Sequence, residues 1–183
     1  MSDEKYDEDI LSKFAVESTK EQAFNTLVTR YQEKLYWHIR RIVVSHDDAD
    51  DVLQNVFIKV WKNLAKFKGN SKLYTWLYRI ATNESLTFLN KKKRRQSTPL
   101  ETEDYDLGSN LRADPYFDGE EAQIKLQEAI DKLPEKQRIV FLMRYYEEMK
   151  YDDMSEALDT SVGALKASYH HAVKKIQKYI VAD

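Results

Sequence analysis

Residues 47–64, DDADDVLQNVFIKVWKNL, decide the fold class. Ala49, Val52, Leu53, Val56, Phe57, Val60, Trp61 and Leu64 recur at the i, i+3, i+4, i+7 spacing of a helix with one buried face, which excludes a strand. On the other side lie Asp47, Asp48, Asp50, Asp51, Gln54 and Asn55, so the exposed face is acidic where the helix dipole favours negative charge. Solvation with dipole matching accounts for these carboxylates as well as docking does, and the neighbouring segments decide between the two.

Downstream, Phe67-Lys68-Gly69-Asn70-Ser71 reads as a turn with Ser71 as N-cap. A second helix follows over 73–95, LYTWLYRIATNESLTFLNKKKRR. Leu73, Trp76, Leu77 and Ile80 form one stripe, leaving Tyr74, Tyr78, Arg79 and Asn83 partly outside it, and the helix ends in Lys91, Lys92, Lys93, Arg94 and Arg95. Aromatics interleaved with cations suit unstacked nucleic acid. Upstream, Ser18 and Glu21 read as a capping box ahead of Phe24, Leu27, Val28, Tyr31, Leu35, Ile39 and Ile42, a long amphipathic helix expected to pack on Val52, Val56 and Val60. A short helix over 7–14 is expected to precede it.

These residues carry a resemblance. Asp48-Ala49-Asp50-Asp51 with Gln54 and Phe57, then Trp61, Phe67-x-Gly69 and Thr75-Trp76-Leu77-Tyr78-Arg79-Ile80-Ala81-x-Asn83, are similar to domain 2 of the bacterial sigma-70 family, specifically its group-4 or extracytoplasmic-function (ECF) members.

The segment from Gln96 to Glu121 holds Pro99, Gly108, Pro115 and Gly119 and is rich in Asp and Glu against a single Arg112. It lacks the apolar surface that would offset an ordering cost of about 1–2 kcal/mol per residue, so an acidic flexible linker is expected there. Beyond it, helices are read over 121–133, over 134–148 with Pro134 as first residue, over 151–158, and over 162–180. The last two, joined by Asp159-Thr160-Ser161, have the lengths of a helix-turn-helix. Val162, Leu165, Tyr169, Ala172 and Ile176 are expected inside; Lys166, Ser168, His170, His171, Lys174 and Lys175 outside or at the edge. Leu133-Pro134-Glu135-Lys136-Gln137-Arg138, Tyr151 to Leu158 and Ser161 to Lys166 resemble sigma domain 4. Where the family often has arginines this chain has Ser168, His171 and Val173, and Asp159 stands where glycine is often found.

The expected fold is therefore all-α, with two small helical domains: a sigma domain 2 bundle over 1–95 and a sigma domain 4 helix-turn-helix over 121–183, joined by an acidic flexible linker over 96–120. The resemblance implies a non-catalytic initiation subunit that binds core RNA polymerase, reads minus-35 and minus-ten promoter DNA and helps open the duplex. It implies that Asp48, Asp51, Gln54 and Asn55 dock on the beta-prime clamp helices, that the polymerase beta flap is a further contact, and that the linker lies in the polymerase channel. Phe67, Trp76 and Asn83 would capture a flipped base of the minus-ten element, supported by Lys72, Tyr74 and Arg79. Core packing competes for Trp76, and a satisfied amide on the helix surface for Asn83. The minus-35 contacts would come from Ser161, Lys166, Ser168, His171 and Lys174, with phosphate contact alone the competing role for Lys166 and Lys174. An anti-sigma factor is a further partner to consider.

Composition bounds the alternatives. Zero cysteines exclude disulfides, thiolate metal sites and a Cys nucleophile. The formal net charge of -2, from 29 Lys and Arg against 31 Asp and Glu, averages over segregated acidic and basic stretches, which suits a protein that binds DNA better inside a larger complex. MSDEKYDEDI has neither a basic nor an apolar targeting region, and no apolar run approaches the length of a bilayer span, so no membrane insertion is expected and the cytoplasm is the expected location. No phosphate loop, metal-spaced cluster or nucleophile beside a base is present, so no cofactor, metal or catalytic residue is expected; adjacent His170 and His171 diverge by about 100° on a helix and read as surface residues. A free-standing regulator that uses only the helix-turn-helix remains the competing class.

Overall fold

In a computed structural model of the protein, residues 3–96 and 121–181 are described, and among them every regular element is helical. The helices are α1 (Asp3–Phe14), α2 (Lys20–Val43), α3 (His46–Asn63), α4 (Leu73–Gln96), α5 (Glu121–Asp131), α6 (Glu135–Tyr145), α7 (Tyr151–Leu158) and α8 (Val162–Val181), with single 3-10 turns over Glu17–Thr19 and Leu64–Lys66. They form two compact units, the first centred on α1–α4 and the second on α5–α8. Apart from Gln96, which ends α4, the linker expected over 96–120 lies outside the described residues.

In the first unit, α2 packs on both α1 and α3 and buries Ala23, Leu27, Tyr31, Leu35, Ile39 and Ile42, while α3 buries Ala49, Val52, Val56 and Val60. Both rows follow the helical repeat, and the small and β-branched residues of α3 let the two helices approach closely. α1 is longer than its apolar pattern and is tied to α2 by charge. The Tyr31 hydroxyl donates to both carboxylate oxygens of Asp7 at 2.8 Å, and Arg30 Nε lies 3.3 Å from the same carboxylate. Burial, more than any neighbour, raises the Tyr31 phenol above its usual range, so it remains a donor. The α2–α3 connection is tight: Val44 has φ 68° and ψ -38°, and the Ser45 amide donates to the Val43 carbonyl at 2.9 Å, a three-residue γ-turn.

Four local expectations are corrected. Ser18 lies in the 3-10 turn and makes no capping box; Thr19 precedes α2, and its hydroxyl donates back to the Lys13 carbonyl at 2.7 Å instead of capping the helix. Lys72, not Ser71, precedes α4, its carbonyl accepting from the Trp76 amide at 3.1 Å. Trp61 is 37% exposed, because the apolar stripe of α3 is wider than its neighbours cover; the ring sits at the rim, edge-on to Phe14 and Phe24 at 5.4 and 5.0 Å, with Lys20 above it. Tyr78 is buried, because α2 flanks α4 on that side and the His38 ring lies 4.9 Å from it.

The second unit buries Ile124 and Ile130 of α5, Ile139 to Met143 of α6, and Leu165, Ala172 and Ile176 of α8. Pro134 precedes α6 instead of opening it: with ψ 141° it is extended, and its carbonyl accepts the Arg138 amide at 2.9 Å. α6 ends at Tyr145, short of Glu148, which turns back with φ 50°. Arg144 braces that loop by donating to the Met149 carbonyl at 3.0 Å. Between α7 and α8, Asp159 adopts the left-handed conformation, φ 49° and ψ 49°, and both its amide and that of Thr160 return to the Ser155 carbonyl. Asp tolerates this geometry better than most residues, so the turn forms without the glycine the family often places there.

Candidate nucleic-acid interface

Two surfaces of the first unit and one of the second collect the candidate residues. On α3, Ser45 caps the helix by accepting the Asp48 amide at 3.4 Å, which fixes where the acidic face begins. Asp51, Gln54 and Asn55 are exposed and Asp48 is half-buried. The Asn55 amide donates to the Asp51 main-chain carbonyl at 3.0 Å, leaving the Asp51 carboxylate on the surface. One turn further on, Ile58 is 51% exposed and extends this face with apolar surface. Its spacing of i+4 from Gln54 and i+7 from Asp51, off the buried row, is the signal that would have found it.

On the loop before α4, Gly69 has φ 69° and a Cβ there would meet nothing, so the glycine serves the backbone turn and not a close approach. The turn brings the Phe67 ring to 5.2 Å from that of Trp76, tilted by 49°, with both side chains half-buried. Arg79 and Asn83 are exposed and follow Trp76 at i+3 and i+7, so the three share one face of α4. Lys72 is exposed with its ammonium 5.9 Å from the Tyr74 ring. Tyr74 does not join Trp76: two residues apart, they point to different sides, and Tyr74 instead meets Tyr78 edge-on at 6.2 Å. Tyr78 continues inward to His38, whose Nε2 is 2.9 Å from Thr82 Oγ1. Burial, helped by the nearby Arg41, holds the His38 imidazole down to about 3, so it is neutral. Lys59 on α3 pairs with Glu84 on α4. Hydrogen-bonded bridges from α2 and α3 thus fix the rotation of α4 and with it the direction of Trp76, Arg79 and Asn83.

On α8, Ser161 is exposed and its hydroxyl accepts the Ala164 amide at 3.3 Å, so it caps the helix. Lys166 is exposed and its ammonium stands 5.7 Å from the Tyr151 ring, which Arg144 also approaches, to 5.2 Å. Ser168 is half-buried; His170, His171, Lys174 and Lys175 are exposed. Tyr169 is half-buried and stacks on Phe141 at 5.8 Å, which stacks on Tyr145. Every expected minus-35 contact except Ser168 is therefore on the open side of α8. Among the described residues, no group of three His, Cys, Asp or Glu side chains is placed to hold a metal, and no helix is long and apolar enough to cross a membrane.

Comparison with known proteins assigns both units to one family. The family profile described as Sigma-70 region 2 matches residues 27–95, and that described as Sigma-70, region 4 matches residues 123–176. The chain is 34% identical over 173 residues to the ECF RNA polymerase sigma-E factor of Haemophilus influenzae, covering 90% of this chain and 91% of that protein. It is 31% identical to the ECF RNA polymerase sigma-E factor of Escherichia coli, covering 90% of each. Among solved structures, CnrH in complex with the cytosolic domain of CnrY shares the fold with a TM-score of 0.72 at 22% identity, over 97% of this chain and 99% of that one. The sigma factor RpoE in complex with the anti-sigma factor NepR from Bartonella quintana does so with a TM-score of 0.68 at 20% identity, over 87% and 98%. The chain belongs to the sigma-70 family of RNA polymerase sigma factors, in its ECF group.

Proposed function

We infer that this chain is a transcription initiation subunit: it binds core RNA polymerase, directs it to promoters through minus-35 and minus-ten elements, and helps open the DNA, catalysing no reaction itself. The observation that carries this is the succession of sigma regions 2 and 4 on one chain that is 34% identical to an ECF sigma factor over 90% of its length. The residue roles are part of the proposal. Asp48, Asp51, Gln54 and Asn55, with Ile58 beside them, dock on the beta-prime clamp helices, and the second unit meets the beta flap. Supporting this, Asp51, Gln54, Asn55 and Ile58 are exposed in one continuous patch on a helix whose opposite side is core.

Phe67, Trp76 and Asn83 receive a flipped base of the non-template minus-ten strand, with Lys72 and Arg79 along its backbone and Tyr74, on another side of α4, reaching that backbone only beside Lys72, whose ammonium lies 5.9 Å from its ring. Unstacking a base costs a few kcal/mol and stacking on an aromatic returns about 1–3 kcal/mol, so the half-buried Phe67–Trp76 pair offers what thermal opening lacks. Asn83 supplies both a donor and an acceptor to a base edge. Lys166, Ser168, His171 and Lys174 contact the minus-35 element in the major groove, while Ser161 acts at the helix cap and, through its exposed hydroxyl, on phosphate. An anti-sigma factor is a partner of this chain, and its location is the cytoplasm. The test is pull-down of core polymerase by the purified protein, followed by transcription from a promoter library. Core-dependent, promoter-specific initiation is the expected result; strong specific DNA binding by the protein alone, without polymerase association, would replace this reading with that of a free-standing regulator.

A further inference from the structure

The recognition helix contains no carboxylate. The 20 residues of α8, VGALKASYHHAVKKIQKYIV, carry Lys166, Lys174, Lys175 and Lys178 together with His170 and His171. Both imidazoles are exposed on the side away from Leu165, Ala172 and Ile176, with ring centroids 6.0 Å apart. Lys166, His170 and Lys174 follow one another at i+4 steps, as do His171 and Lys175, so each ring lies one helical turn from an ammonium group. Neither ring takes part in a hydrogen bond or ion pair among the described residues.

The elements packed on α8 leave the two rings to solvent. From α5, Glu128 and Lys132 both meet Tyr179, more than two turns beyond His171. From α6, Arg144 is held by the Glu148 and Met149 carbonyls, Arg138 by Asp131, and Tyr145 by Phe141. From α7, Tyr151 faces Lys166, and Asp152 and Asp153 occupy the first turn of their own helix. Among the described residues, none of these groups makes a hydrogen bond, ion pair or ring contact with either imidazole.

Histidine is the side chain whose charge ordinarily changes between pH 5 and 8, and a phosphate beside an imidazole favours its cationic form. We propose that His170 and His171 act together as proton-dependent phosphate contacts, so that the helix binds promoter DNA more tightly as pH falls toward mild acidity. Four lysines supply a permanent attraction, and the imidazole pair adds up to two charges that DNA itself draws in. This inference rests on the sigma reading above, since it needs α8 to face DNA.

The experiment uses the full chain reconstituted with core polymerase and a promoter fragment that this holoenzyme selects from a library. Affinity is measured between pH 6 and pH 8 over a range of salt, for the wild type and for the H170Q/H171Q double variant. The ratio of wild-type to variant affinity should rise from pH 8 to pH 6, and the wild-type salt slope should steepen relative to the variant's by up to about two, roughly one per neutralised phosphate. Using the ratio cancels pH effects that arise in polymerase. A ratio and a slope difference that stay constant across this range would overturn the inference. Selection of no promoter at any pH would instead overturn the sigma reading, and the inference with it.

Discussion

His38 Nε2 and Thr82 Oγ1 lie 2.9 Å apart, joining α2 to α4 across 44 residues of sequence. The contact is buried, and it makes stability depend on pH. Folded His38 titrates at about 3, against an ordinary 6.5. Between those values the unfolded chain binds a proton that the folded chain does not, so stability is greatest above about pH 6.5 and falls as pH drops toward 3. The slope from this one group is at most about 1.4 kcal/mol per pH unit. His38→Gln keeps a hydrogen-bonding group for Thr82 and removes the titration. Urea unfolding at pH 7 and pH 4.5 should show a stability loss in the wild type that exceeds the variant's by about 2 kcal/mol; equal losses would refute the assignment.

Val44 carries backbone strain at the α2–α3 junction, with φ 68° on a buried β-branched residue. Such a conformation costs an L-residue about 1–3 kcal/mol and glycine almost nothing. Val44→Gly and Val44→Ala remove nearly the same packing, so their difference isolates the backbone term. Val44→Gly should be the more stable of the two by about 1–2 kcal/mol, the reverse of the order found in helices. Thermal melting of both variants decides it.

The helical repeat in 47–64 and 24–42 carried the first unit's core because the helix period alone sets which residues share a face. Periodicity has no knowledge of neighbours, and the errors fall where neighbours decide. Trp61 belongs to the apolar stripe of α3, yet no element among the described residues covers its outer edge. Tyr78 lies off the stripe of α4, and it is buried because His38 arrives from α2. The Asp7–Tyr31 clasp spans 24 residues, and no local pattern announces it. Of the candidate sites, the α3 face and the α8 face were legible as polar rows opposite apolar ones. The pairing of Phe67 with Trp76 needed the turn at Gly69, whose geometry the sequence suggests only as a turn.

Asp51→Lys tests the docking face. The carboxylate is exposed, and the main-chain carbonyl that holds Asn55 survives the substitution. Stability should move by no more than about 0.5 kcal/mol, while affinity for core polymerase should fall at least about tenfold, since a reversed charge meets its former partner. Titration of labelled protein with core enzyme measures the affinity; an unchanged value would remove Asp51 from the interface.

Trp76→Ala separates base capture from packing. The ring is half-buried against Phe67, so truncation should cost less than the roughly 3–5 kcal/mol of a fully buried aromatic. Promoter opening, read by permanganate reactivity of unpaired thymines, should fall more than closed-complex formation read by a band shift. Equal loss of both, with a melting temperature lowered as for a core truncation, would return Trp76 to the interior.

Ser161 separates helix capping from DNA contact on α8. Its hydroxyl accepts the Ala164 amide at 3.3 Å, and an aspartate in its place can accept the same bond. Ser161→Ala should cost about 1 kcal/mol of stability. Ser161→Asp should retain or raise stability, because a carboxylate suits a helix N-terminus. On DNA the ranking should reverse: the aspartate places a negative charge at the helix end proposed to meet phosphate, so the holoenzyme's promoter affinity should fall more for Ser161→Asp than for Ser161→Ala, most steeply at low salt. Affinities that instead follow stability would mean that Ser161 serves the cap alone and that the N-terminus of α8 stands clear of the DNA backbone.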